Sequence, residues 1–521
     1  VENTGELNSL KITKRDGRVE PFQVAKISNA IAKAFEATYT NPEATDTIMV
    51  HVENVVGDVV DLIGRRPEHI PLTVKEVQDL IEKVLADLDF EVGKKYILYR
   101  EEHKKMRLAT ANNEALSNYI FTAKYAKYLP KQQRRETWEE TVDRVETMHY
   151  TRHKDPSLQA KIVSAFELVR QKKVLPSMRS MQFAGEPLLQ HNARMYNCSF
   201  TAIDRPEAFG QALYLLLCGC GVGFSVQGHH VAKMPKLALR RDKSKVRHLS
   251  IPDTIEGWGD SVKSLIDSYI RGYYVEFNYR LIRPEGSPLS SGGKAPGHLP
   301  LKTGLENVTK VLQGAMGRKL KPIECYDIMC HLAIAVLAGG VRRSSLIALF
   351  SPDDGEMLSS KTTENIGEHP QRHMANNSVV LLREDTTREQ FIELMALNQE
   401  SFGEPGFFFT NSLDHGMNPC GEIGLDPEPK AFAFCNLSEI NLAACDNLED
   451  FRSAALAATL IGTLQASFDD IPYLGQPTAD GLKNKPLLGV SITGVMDGFD
   501  MLTDEKHVRK IVEEMRDYNH I

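Results

Sequence analysis

From Val174 to Ile521 the chain keeps one texture, in which short apolar runs alternate with segments of helical periodicity. The runs SSLIALF (Ser344–Phe350), NSVVLL (Asn377–Leu382) and PLLGVSI (Pro486–Ile492) are each the length of one buried strand and too short for a core helix. Strands covered on both faces read as continuous apolar runs, so this alternation predicts a large α/β domain. Chemistry is then expected in the loops at strand ends, where a rigid scaffold gathers groups from distant parts of the chain.

The first hundred residues read differently. Leu10–Glu20, LKITKRDGRVE, is two short runs around Asp16-Gly17, a hairpin turn signal. Val24, Ile27, Ala30, Ile31 and Phe35 then recur at helical spacing and predict a helix packed on that hairpin. Thr73, with Glu76 three positions on, forms a capping box ahead of Val77, Leu80, Ile81 and Leu85. The module closes near Tyr96–Arg107, where REEHKKMR reads as a solvated helical face. The expected organisation is a small domain over 1–107, a mostly helical stretch over 108–173, and the α/β domain over 174–521.

A chain of 521 residues exceeds what a single core supports, and 42% apolar with 25% charged residues is the balance of a folded protein. The net charge of -7, from 62 basic and 69 acidic residues, gives no global attraction to nucleic acid or anionic lipid, so phosphate binding must be local. No apolar run reaches the ~18 residues of a membrane span, and VENTGELNSL lacks the features of a secretory signal. A cytoplasmic protein without membrane or nucleic-acid partners is expected. Eight cysteines, none before Cys198, are too sparse for a disulfide scaffold.

Met417–Leu425, MNPCGEIGL, carries an amide, a thiol and a carboxylate at alternate positions, Asn418, Cys420 and Glu422. If extended, a period of two points all three the same way. A thiol able to lose a hydrogen atom, a carboxylate able to take a proton and an amide able to orient a hydroxyl suit a radical site. A buried, inert Cys420 after Pro419 is the plain alternative. Cys198 (MYNCSF) and Cys435 (AFAFCNLSEINL) form a reversible dithiol if the fold brings their α-carbons within about 7 Å, a proximity that sequence does not give.

No paired CxxC units occur, Cys218 and Cys220 are CxC, and His331, His369 and His415 lack ligand spacing, so no metal site is expected. Gly219, Gly221 and Gly223 in CGCGVGFS resemble a dinucleotide loop superficially, but backbone packing or substrate access accounts for them equally well. In PSMRS, Ser177 and Ser180 are either phosphate-binding groups at a helix start or ordinary caps. Arg342 and Arg343 either reach phosphate or pair with Asp353 and Asp354. Arg283–Leu301, RPEGSPLSSGGKAPGHLPL, is a loop long enough to suggest a ligand-sensing role.

In order along the chain, these segments resemble the large catalytic chain of ribonucleotide reductases. The first hundred residues resemble the ATP-cone module, through KRDG (Lys14–Gly17), Phe22, Lys26 and YxxYR (Tyr96–Arg100). The resemblance implies a ten-stranded α/β barrel with NPCGE on a finger inside it, preceded by the cone. It implies that Cys420 is the thiyl residue abstracting the 3′-hydrogen, Glu422 the base on the 3′-hydroxyl, and Asn418 a substrate-orienting amide. Cys198 and Cys435 match the pair that supplies two electrons and becomes a disulfide. GVRRSSLIALFSPDDGEM, HPQRHMANNSVVL and EPGFFFTN resemble the adenosylcobalamin-dependent class, and LPSMRSMQFAG its triphosphate-reducing branch.

Adenosylcobalamin as cofactor, a ribonucleotide substrate, a thioredoxin-like reductant and a monomer or homodimer follow from the same resemblance. ATP and deoxynucleotides are the implied effectors, through Lys14, Arg15 and Lys26 in the cone and Ser291, Gly292, Gly293 and Lys294 in the long loop. The family's later barrel strands are not in this sequence, so a complementary C-terminal chain or segment is expected. Two alternatives stay open: a large subunit fed by a separate metal-containing radical subunit, and a non-catalytic nucleotide sensor.

Overall fold

The structure, a computed structural model, describes residues 10–14, 18–36, 38–39, 45–66, 71–289, 294–337, 345–401 and 403–518. It divides into two compact units at Ile120/Phe121. Arg15, Ser291, Gly292, Gly293, Arg342 and Arg343 lie outside the described residues.

In the first unit Lys11–Thr13 pairs antiparallel with Val19–Pro21, the two arms of the expected hairpin, and parallel with Leu72–Thr73. The helix Val24–Glu36 buries Ile27, Ile31, Ala34 and Phe35, the stripe its spacing dictates. With Ile12, Phe22, Val55, Val59, Ile81, Leu85 and Tyr96 these form one apolar cluster. The Thr73 box is complete. Glu76 N–H donates to Thr73 Oγ1 at 3.3 Å, and Thr73 N–H donates to Glu76 Oε2 at 2.9 Å. Two otherwise orphaned helix-start amides are thereby satisfied at the head of Val74–Leu88. The position expected to end the module, residue 107, falls inside a continuous helix, Phe90–Lys124.

The second unit is built on one eight-stranded sheet, whose strands we number in chain order: β1 Val174–Leu175, β2 Cys198–Ala202, β3 Gly221–Ser225, β4 Leu346–Phe350, β5 Asn376–Leu382, β6 Gly406–Thr410, β7 Ala433–Asn441 and β8 Leu488–Thr493. The three apolar runs singled out by composition are β4, β5 and β8. Lateral order is β6-β5-β4-β3-β2-β7-β8, with β1 paired to β7. Strands β2 to β6 are mutually parallel. So are β7 and β8, which run against the first group because β7 pairs antiparallel with β2. The result is α/β, as expected, with eight strands rather than ten in this sheet among the described residues.

Period-two alternation sends the strands' side chains to two separate cores. Leu346, Ala348 and Phe350 join the large core beneath the helices, which include Glu207–Cys218 and Pro322–Leu337. Ile347 and Leu349 join Cys198, Phe200, Val380 and Cys435 on the opposite face, around Met417 and Leu425. The sheet therefore curls around the segment that carries Cys420. The Gly-rich stretch 219–223 leads from a helix C-terminus into β3, the reverse of the strand-to-helix order of a dinucleotide loop.

Removing the cap hydroxyl by Thr73→Ala is expected to destabilise the first unit by about 1 kcal/mol. Chemical denaturation followed by circular dichroism checks this, and the second unit's transition is expected to stay unchanged.

Candidate active site

A short hairpin brings the expected loop inside the curl. Gly416–Met417 pairs antiparallel with Gly424–Leu425, leaving residues 418–423 as its tip. Close approach fixes its height along β3. A Cβ on Gly223 would lie 2.2 Å from the Met417 carbonyl oxygen, so only glycine admits the hairpin there. Two residues after Met417 and two before Gly223, Pro419 lies against Gly221, 3.1 Å from where a Cβ would stand.

The tip turns instead of running extended. Ile423 N–H donates to Asn418 Oδ1 at 3.0 Å, Asn418 N–H to the Ile423 carbonyl at 3.1 Å, and Gly421 N–H to the Asn418 carbonyl at 2.9 Å. Gly421 takes φ +83°, the left-handed conformation that closes such a turn at little cost without a Cβ. Hence the three side chains do not share one face as an extended strand would dictate. Asn418 is fully buried, whereas Cys420 and Glu422 are exposed. The Asn418 Nδ2 group is buried beside the Cys198 thiol, whose thiolate it favours, and meets no oxygen or nitrogen acceptor in the protein, which leaves donor capacity for a ligand.

Cys198 opens β2 and stands in register with Cys435 of β7. Residues directly opposed in an antiparallel pair have α-carbons roughly 4.5–5.5 Å apart, within disulfide reach. All eight cysteines are free thiols, and Cys198 and Cys435 are buried. The Cys198 sulfur also lies 3.6 Å from the Cβ position of Gly221, beside Pro419 of the finger. Its thiol interacts with both other sulfurs. The hydrogen bond from Cys420 favours its thiolate, but the bond to Cys435, burial and the Cys435 charge outweigh it and push Cys198 up to about 12. Cys420 is held well above the ordinary thiol range, first by its hydrogen bond to Cys198, then by burial and by the charges of Cys198 and Glu422. Cys198 and Cys420 thus keep their S–H bonds at neutral pH, the state from which hydrogen atoms rather than protons are exchanged.

Ser177 is committed as a cap, since its Oγ accepts from Ser180 N–H at 2.9 Å at the start of a six-residue helix. Its own amide donates to Gln465 Oε1 at 2.8 Å. Ser180 Oγ is buried and unpartnered. Between them, Arg179 is the group with the charge to meet an anion. It faces Cys198, Cys220 and Tyr125, and burial lowers its pKa.

Lys294 lines a cavity of about 330 Å³ with Arg283, Arg194, Asp253 and Glu256. The long loop is pinched above it by a bridge between Pro288 and Lys294, and Arg283 is anchored on Asp253 at 2.6 Å. Arg194 was not singled out by sequence. It is buried over the Phe183 ring with Glu256 as counter-charge, and its Nε and Nη1 lack any hydrogen-bond partner, so the cavity carries a cation with donors to spare. In the first unit Lys14 and Lys26 line a cavity of about 180 Å³ with Phe22, Gln78 and Tyr96. Lys14 also pairs with Glu20 at 3.2 Å.

The raised Cys420 pKa means less thiolate at pH 8 than an ordinary thiol has, so this exposed cysteine is expected to alkylate slowly and to speed up only at higher pH. Cys198→Ala removes the largest cause and is expected to accelerate it. Iodoacetamide labelling with peptide mapping measures both.

The sequence signature of the ATP cone domain matches residues 10–105. The adenosylcobalamin-dependent ribonucleoside-triphosphate reductase of Lacticaseibacillus paracasei is 28% identical over 464 residues, covering 72% of this chain and 60% of the relative. That of Lactobacillus leichmannii is 28% identical over 460 residues with the same coverages, and that of Euglena gracilis 28% over 321 residues, covering 57% and 42%. This chain spans about 60% of the length of the bacterial relatives. A crystal structure of a B12-dependent (class II) ribonucleotide reductase superposes with a TM-score of 0.61 at 22% identity, covering 73% of this chain and 62% of that one. The chain therefore joins an ATP cone domain to a domain that has the class II ribonucleotide reductase fold and homologues named adenosylcobalamin-dependent ribonucleoside-triphosphate reductases.

Proposed function

We propose that this chain is the substrate-reducing and effector-sensing part of an adenosylcobalamin-dependent ribonucleoside-triphosphate reductase. The observation that carries the reading is the meeting of three sulfurs: Cys198 opposite Cys435 in the sheet and against Cys420 at the finger tip. Cys420 is the exposed member, so a radical-generating group reaches its sulfur ahead of the buried pair, and in this respect the site fits the cofactor. Adenosylcobalamin, when bound, supplies the one-electron oxidising equivalent through cleavage of its carbon–cobalt bond.

The remaining steps belong to the chain. Cys420, as a thiyl, takes the hydrogen atom from C3′ and returns it at the end. Glu422 accepts the 3′-hydroxyl proton, and the buried Asn418 amide orients the hydroxyl. The 2′-hydroxyl leaves as water while Cys198 and Cys435 give up two protons and two electrons and close a disulfide. One dithiol is thus consumed per deoxynucleotide, and a thioredoxin-like reductant must restore it. Arg194, Arg283 and Lys294 offer cationic partners for a deoxynucleotide effector, and Lys14 and Lys26 for ATP. Among the described residues no helix is long and apolar enough to cross a membrane.

With adenosylcobalamin, a ribonucleoside triphosphate and a dithiol reductant, Cys420→Ser is expected to lower deoxynucleotide formation by ~10³-fold or more, the scale of removing a covalently reacting group. Cys198→Ser and Cys435→Ser are expected to leave at most a single turnover. Full multiple turnover by Cys420→Ser overturns the reading.

A further inference from the structure

Where the hairpin enters the curl, at the C-terminal end of β3, three potential ligand atoms converge outside the sulfur site. Asp414 Oδ1 lies 3.3 Å from His229 Nε2 and 3.1 Å from His230 Nε2. All three ligand atoms fall within 4.8 Å of one another. Bonds of about 2.0–2.1 Å in a tetrahedral shell put ligand atoms roughly 3.3 Å apart, so the two imidazole–carboxylate separations match two edges of such a shell. The imidazole rings lie side by side with centroids 3.9 Å apart, which aims both outer nitrogens at the same carboxylate oxygen.

The surroundings are also those of a ligand set. His230 is buried, its side chain 4% exposed, and its other ring nitrogen is held by Ser225 Oγ at 2.9 Å, the second partner that fixes the orientation of a ligating histidine. Gln227 donates to that same oxygen at 3.0 Å and to the Leu413 carbonyl at 2.8 Å. One amide therefore braces both the histidine helix and the segment that carries Asp414. Asp414 is 71% exposed, so the fourth position of the shell opens outward, beside a cavity of about 770 Å³ that His229, Gln227 and Leu413 also line.

We propose that His229, His230 and Asp414 bind a divalent transition-metal ion of the zinc class, with water in the fourth position. Nitrogen and carboxylate donors at this spacing select such an ion over magnesium or calcium, which take oxygen-rich shells. Asp414 stands two residues before the hairpin strand Gly416–Met417, so the ion ties the root of the finger to the end of β3. The ion is structural in this role: it takes no part in the reduction, and its binding is measurable whether or not the chain reduces nucleotides.

The test is titration of the chelator-treated chain with cobalt(II) as spectroscopic probe and with zinc(II) by equilibrium dialysis. A single equivalent is expected, with a visible spectrum of a low-coordinate nitrogen–oxygen site and no thiolate-to-metal charge-transfer band. Asp414→Asn and His229→Ala change exposed side chains and leave the core intact. Each is expected to weaken binding tenfold or more while leaving the thermal transition of the chelator-treated chain unchanged. Absence of binding, equal binding by both variants, or a thiolate band assigning the metal to the cysteines would each overturn the proposal.

Discussion

The antiparallel pairing of β2 with β7 joins two groups of strands that are each parallel within themselves, and the two buried sulfurs of the site face each other on that seam. A parallel group needs long crossovers between its strands, which here are helices that cover the outer face of the sheet. The seam needs none, because opposed residues from distant segments meet directly. Cys198 and Cys435 are therefore positioned by backbone hydrogen bonds rather than by flexible loops. The dithiol–disulfide cycle proposed for this pair is served by a ladder geometry that already lies inside disulfide range.

The finger depends on the seam from the other side. The outer face of the sheet is filled by helices, so the inner face is left for the hairpin, and Phe200, Ile347 and Leu349 pack against Met417 and Leu425 there. That small apolar cluster excludes water from beneath the tip while leaving Cys420 itself exposed. Against the hydrogen bond from Cys420, the bond to Cys435 and burial then raise Cys198, and the hydrogen bond to Cys198 and burial raise Cys420, out of the nucleophilic thiol range. The same packing that positions the sulfurs thus disfavours ionic thiol chemistry at them.

Much of this was legible in the sequence where the governing interaction is local. The apolar runs of β4, β5 and β8, the Thr73–Glu76 box and the stripe of Ile27, Ile31 and Phe35 are each decided within a few residues. Sheet order and the Cys198–Cys435 register are not, because they are set by pairing across the chain. At the tip of the finger the alternation of Asn418, Cys420 and Glu422 fits a strand as well as it fits a turn closed by Asn418 and Gly421, and the structure takes the turn. Ser177 had two readings, and the structure commits its hydroxyl to a cap. Arg194 carried no signal at all, because a buried guanidinium with donors left over is a property of its surroundings. His229 and His230 were not singled out, because Asp414, which meets both, lies 185 positions away from the first.

The finger is anchored at a fixed height by Met417 against Gly223, and a Cβ on Gly416 would meet the Phe200 ring at 2.1 Å. From that anchor to Cys420 the chain acts as a ruler. The three steps are held in a turn, so one residue inserted between Met417 and Cys420 would break the closure made by Asn418 and Gly421 and move the thiol away from Cys198. The hairpin can thus drift in composition far more readily than in length.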